Sequence, residues 1–192
     1  MYTRVRELLT PEERLKYMEI PNDIDEWTLG TYFTFTSHDI EVIRRHRRDY
    51  NRLGFAIQLC VLRYLGWTLF DVQEIPERVL SYVAKQLQVN VSEFQGYSQR
   101  EATRYEHLEE IRREYGFSPF TLGEYRWLSK VLTEHAMING SPLHLIQIGL
   151  DELRKRKVIY LRWQQSKGPY GRHGNERRIE FSRCSALRDH GK

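Results

Sequence analysis

Cysteine is nearly absent. The two in the chain, Cys60 and Cys184, lie far apart and form no Cys-x-x-Cys pair. That argues against a disulfide framework and suits a reducing compartment, the cytoplasm. The seven His are scattered and no His-Glu-x-x-His occurs, so no metal site is expected. Gly168, Gly171 and Gly174 do not sit between a strand and a helix and lack a following Lys-Ser/Thr, so a phosphate-binding loop is missing. No serine occupies a nucleophile elbow. No catalytic residue and no cofactor are therefore assigned. With 12 Gly and 6 Pro the chain is too poor in both to be linker-rich. It also lacks a long apolar run. The greasiest stretch, Leu53 to Leu65, falls short of the roughly 20 residues that a membrane helix needs. The start is not an apolar leader after basic residues, so neither signal peptide nor membrane association is expected.

What is present is helical periodicity. Leu53 to Leu65 is interrupted only by Gly54, Gln58 and Arg63. A helix apolar all round must be covered on every side, so this stretch reads as the central buried helix, ending near Gly66. Thr10-Pro11-Glu12-Glu13 reads as a capping box with Pro at the first helical position, and Pro21 stops that helix. Asp25 caps a short helix to about Tyr32. Ser37 caps another that runs through Ile40 and Ile43 to about Arg47, and Asp49 restarts helix into the central segment. Pro76 opens a helix with Val79, Tyr82, Val83 and Leu87 inward. Ser92 caps a short turn through Phe94. Ser98 starts a long polar helix ending at Gly116. Its expected inner face is Ala102, Tyr105, Leu108, Ile111 and Tyr115; its outer face includes Thr103, Arg104, His107 and Glu110. Thr121 and Ser141-Pro142 open the last two helices, the second ending near Arg156.

The fold class expected is all-α: a multi-helix orthogonal bundle of two small helix-turn-helix-like subdomains followed by an irregular basic tail. The divisions are 1–96, 97–159 and, where periodicity collapses, 160–192. The tail holds eight Lys or Arg against three acids, whereas the preceding 159 residues carry 22 basic and 23 acidic side chains. The net charge of +4 therefore belongs to the tail, and any nucleic-acid argument for the body rests on local clusters.

Two clusters suit duplex DNA. Arg44, Arg45, Arg47, Arg48 and Arg52 could neutralise phosphates, with Asn51 reading a base edge. The bland alternative is a solvated helix end whose arginines pair with Asp39, Glu41 and Asp49. Gln99, Arg100, Thr103 and Arg104 open the long polar helix, where such side chains suit groove contacts; an ordinary polar face explains them equally. Arg154-Lys155-Arg156-Lys157 fits the negative end of a helix dipole.

Asn51-Arg52-Leu53-Gly54-Phe55-Ala56-Ile57-Gln58-Leu59-Cys60 resembles the N-terminal region of Tn-three family replicative transposases. So do Leu9-Thr10-Pro11-Glu12-Glu13-Arg14 to Ile20-Pro21, Tyr82-Val83-Ala84-Lys85-Gln86-Leu87, Arg104 to Arg112, and Arg154-Lys155-Arg156-Lys157-Val158-Ile159. The matches keep their order over most of 1–159. The resemblance implies a two-part helical module that binds double-stranded DNA at the terminal inverted repeats of a transposon. It also implies a distant RNase H-like core with a two-Asp, one-Glu metal triad, for which this chain is too short. The match fails after Ile159, which fits a truncated or frame-shifted remnant. The expectation is a non-enzymatic DNA-binding fragment whose partner is transposon ends, with full-length transposase or a second copy as further candidate partners. The alternative is a helical protein-interaction or dimerisation module without specific DNA binding.

Overall fold

The computed structural model describes residues 9–70, 72, 74–98 and 101–160. They form an all-α fold: α1 (Pro11–Lys16), α2 (Glu26–Tyr32), α3 (Ser37–Arg44), α4 (Asp49–Tyr64), α5 (Glu77–Leu87), α6 (Glu93–Ser98), α7 (Glu101–Tyr115), α8 (Leu122–Ala136) and α9 (Pro142–Lys155). The two-residue strands β1 (Ser118–Pro119) and β2 (Val158–Ile159) add one parallel pairing, Ser118 opposite Val158, which the periodicity did not announce.

α4 is the hub. Residues Leu53 to Leu62 are all buried along it, and α2, α3, α5, α6 and α7 each pack on it. The main apolar cluster also takes in Ile20, Leu29, Phe33, Val79, Val83, Tyr97, Ile111 and Phe117. Cys60 is fully buried, which pushes its thiol pKa well up and leaves it inert.

Several caps are as expected. Thr10 Oγ1 accepts from the Glu13 amide at 3.2 Å while Glu13 Oε2 accepts from the Thr10 amide at 2.8 Å. Asp25 accepts from the Thr28 amide at 2.8 Å. Thr121 caps α8 through the Gly123 amide. At α3 the cap is Thr36, not Ser37. Asp39 stands three residues after Thr36, so the two close a reciprocal capping box. α3 also stops at Arg44, short of Arg47, and a tight turn leads into α4.

The orientation expected for α7 is corrected at three residues. Ala102 and Tyr105 are exposed, whereas His107 is buried with Ile111. Leu108, Ile111 and Tyr115 pack on the core as expected, and His107 joins them from the face expected to lie outward. The reason is a polar pocket in α4 that takes the imidazole, described below.

α8 and α9 pack on each other as a hairpin. Its two stems meet at the β1–β2 pairing, where the Ser118 amide donates to the Lys157 carbonyl at 3.0 Å. Gly116 and Lys157 both take left-handed backbone there, with φ of 72° and 55°. Lys157 Nζ donates to the Tyr115 carbonyl at 3.1 Å. α8 has no fully buried residue, and Met137 and Ile138 at the hairpin tip are 85% and 86% exposed. Tyr160, placed at the head of the tail by its composition, is buried instead. Its amide donates to the Gly66 carbonyl at 2.9 Å and its hydroxyl to the Leu150 carbonyl. The rest of the basic tail, 161–192, lies outside the described residues.

Candidate nucleic-acid interface

The arginine cluster splits into two kinds. Arg44, Arg47 and Arg48 are exposed and have no carboxylate partner among the described residues. The Arg48 guanidinium lies 5.9 Å from the centroid of the Tyr50 ring. Arg45 and Arg52, by contrast, are engaged. Arg45 reaches Glu41 one turn back and Glu114 on α7, each at 3.4 Å. Arg52 Nε donates to the His46 carbonyl at 2.8 Å, and its Nη1 lies 3.1 Å from Asp49. The pairings with Glu41 and Asp49 are those of the bland alternative; they take up two of the five arginines. Asp39, the third acid proposed as a partner, belongs elsewhere. It is buried and grips Arg63 with both oxygens, at 2.6 and 3.1 Å. Burial works to raise its carboxyl pKa, but hydrogen bonds from Arg63 and Thr36 and the Arg63 charge outweigh it and hold it below the usual value.

The result is a short interhelix turn with fixed roots. Arg52 ties the His46 carbonyl back to α4, and Arg45 ties the end of α3 across to α7. His46 packs under the turn, its ring 4.6 Å from Phe55 and 4.4 Å from His107. Burial lowers the His46 pKa, and the Arg52 and Arg45 charges add to this against the opposing pull of Glu110. Asn51 is half-buried, with its Oδ1 unpartnered.

The second cluster comes out differently. Gln99 and Arg100 lie outside the described residues. Thr103 and Arg104 are half-buried rather than on an open face. Arg104 Nη2 donates to the Leu69 carbonyl at 3.1 Å, and its guanidinium sits 4.2 Å from the Phe70 ring centroid. Phe70 in turn stacks on the half-exposed Tyr105 at 4.3 Å. In the basic run at the end of α9, Arg154 and Lys155 pair with Asp151 and Glu152, and Arg156 lies over the Trp127 ring at 4.3 Å.

Sequence reading missed the polar chain that seats α7. Gln58, buried mid-α4, donates through Nε2 to the Arg104 carbonyl at 3.2 Å. That fixes its amide with Oε1 facing Tyr97, whose hydroxyl donates to it at 2.8 Å. The tyrosine proton is thereby spent. His107 Nδ1, 3.1 Å from the same hydroxyl, must carry the hydrogen and donate into it. Burial, and then the neighbouring His46, pull the His107 pKa down to about 4, so the ring is neutral near pH 7. The signal that could have found this was Gln58 itself, since a buried amide demands partners. Among the described residues no group of three or more His, Cys, Asp or Glu is placed to hold a metal ion, and no helix is long and apolar enough to cross a membrane.

Fold and site together define an all-α module that displays an arginine-bearing turn from a buried central helix. The chain belongs to the family described as Domain of unknown function (DUF4158), whose model matches residues 8–161. It is 51% identical over 156 residues to the transposase for transposon Tn1546 of Enterococcus faecium, covering 81% of this chain and 16% of that protein. It is 40% identical over 154 residues to the transposase for transposon Tn501 of Pseudomonas aeruginosa, covering 80% of this chain and 15% of that protein. A transposase for transposon Tn21 of Escherichia coli is 39% identical over 155 residues, with coverage of 80% and 15%. The resemblance to Tn-three family transposases is thereby borne out. The chain spans about a sixth of the length of these relatives.

Proposed function

We propose that this chain is a non-enzymatic DNA-binding part of a transposase that docks on the terminal inverted repeats of a mobile element. The observation that carries the reading is the set Arg44, Arg47 and Arg48: three exposed cations within five positions, without a carboxylate partner among the described residues, at the end of α3 and on the turn after it, which is held at both ends. Phosphates offer such guanidiniums paired acceptors and release counterions when neutralised. Asn51, next along α4, supplies a short amide for a base edge. Arg45 and Arg52 serve chiefly to fix the turn. Arg104, tied to the Leu69 carbonyl, braces the α4–α7 seam beside Thr103, and Gln99 and Arg100 remain candidate DNA contacts. Cutting chemistry is assigned to none of its acids. Electrophoretic shift with an inverted-repeat duplex and a scrambled duplex tests this. Preference for the repeat is the expected result; equal affinity for both overturns sequence-specific recognition.

A second reading, a protein-interaction module, is favoured by one observation, the bare Met137 and Ile138 at the α8–α9 tip. Light scattering separates the two: a dimer that ignores DNA supports the second.

A further inference from the structure

Resting on the DNA reading above, we propose that Glu114 on α7 is a positioning residue for the arginine turn: it holds the end of α3 so that Arg44, Arg47 and Arg48 meet phosphate together. The observation is a convergence on one atom. Glu114 Oε1 lies 3.4 Å from Arg45 Nη1 and 3.6 Å from His38 Nε2. His38 and Arg45 are seven residues apart, two turns of α3, hence on one face of it. Glu114 thus touches α3 near both ends and fixes its roll against α7. The His38 ring meets the Tyr115 ring edge-on at 5.8 Å beside it. Arg44 is the last residue of α3, and Arg47 and Arg48 follow within the turn, so the roll of α3 sets where all three project.

Charge alone predicts the opposite behaviour. Glu114 is an anion near a surface that would meet polyanionic DNA, so its removal should tighten binding. A positioning role predicts weaker binding. Glu41 supplies a matched control: it too lies 3.4 Å from Arg45, but on the same helix, so it cannot fix α3 against α7.

The experiment compares the parent chain with Glu114→Gln and Glu41→Gln on one inverted-repeat duplex, reading affinity across a salt series and thermal stability in parallel. The expected result is that Glu114→Gln weakens binding roughly two- to fivefold and flattens the salt slope at near-parent stability. Glu41→Gln should bind as the parent does or slightly tighter. Arg45→Lys, which keeps the charge and loses the guanidinium fork, should repeat the Glu114→Gln loss. Binding by Glu114→Gln as tight as the parent's, or tighter, overturns the positioning role and leaves the DNA reading standing. A parent chain that binds no better than its Arg44, Arg47 and Arg48→Ala form overturns the DNA reading itself.

Discussion

The Tyr97 ring of α6 lies directly on Gly54 of α4: a Cβ at position 54 would stand 2.1 Å from the tyrosine Cγ. Glycine in mid-helix costs up to about 1 kcal/mol against alanine, and it is kept here because the ring needs the bare backbone. That contact also delivers the Tyr97 hydroxyl to Gln58 and His107, so close packing and the buried polar chain depend on each other.

Gly54→Ala should therefore destabilise the fold despite its better helix propensity. The ring would have to move, at a cost of roughly 1–3 kcal/mol or more. Urea denaturation checks it; unchanged or raised stability would disprove the close approach.

His107 makes stability depend on mild acid. Its unfolded imidazole takes a proton below 6.5, while the folded one refuses it until about 4. Stability should fall as pH drops through that interval, by on the order of 3 kcal/mol, and level off below it. His107→Gln, measured by denaturation at pH 7 and pH 4.5, should shrink this loss. Some should remain, because the His46 pKa is lowered in the same sense.

The Asp39–Arg63 pair acts at lower pH. Because the folded Asp39 pKa lies below 3.8, its stabilisation is present above that value and disappears as pH falls through the folded pKa. Asp39→Ala strands a partly buried guanidinium and removes one half of the α3 capping box, so a loss of about 3 kcal/mol is expected at pH 7. Thermal unfolding reads it directly.

For DNA, Arg47→Ala with Arg48→Ala should weaken binding to any duplex and reduce the log–log salt slope by about 1.8. Neither residue has a carboxylate partner among the described residues, so melting temperature should stay near the parent value. A large drop in melting temperature would show that the two arginines support the fold instead.

The central helix was legible because an all-apolar helix has one interpretation, and the caps at Thr10, Asp25 and Thr121 were legible because they are local. The facing of α7 was legible only in part. His107 looks polar in one dimension and is drawn inward by Gln58 and Tyr97, 49 and 10 residues away. The sharpest reading of the arginines required knowing which acids fold near them. Glu41 and Asp49 are local and could be guessed as partners. Glu114 arrives only with α7, and Asp39 is drawn off by Arg63, 24 residues away in α4. Those partners decide which arginines remain open.

The pairing of Ser118 with Val158 closes the α8–α9 hairpin at its base, and Tyr160 ties the same base to Gly66. Both ends are rooted at one spot, with the two left-handed residues Gly116 and Lys157 in the roots. A force at Met137 or Ile138 acts about 20 Å from that base, where the Lys157 ammonium meets the Tyr115 carbonyl. Tyr115 adjoins Glu114, so a load hung on that tip reaches the chain beside the residue proposed to aim the arginines.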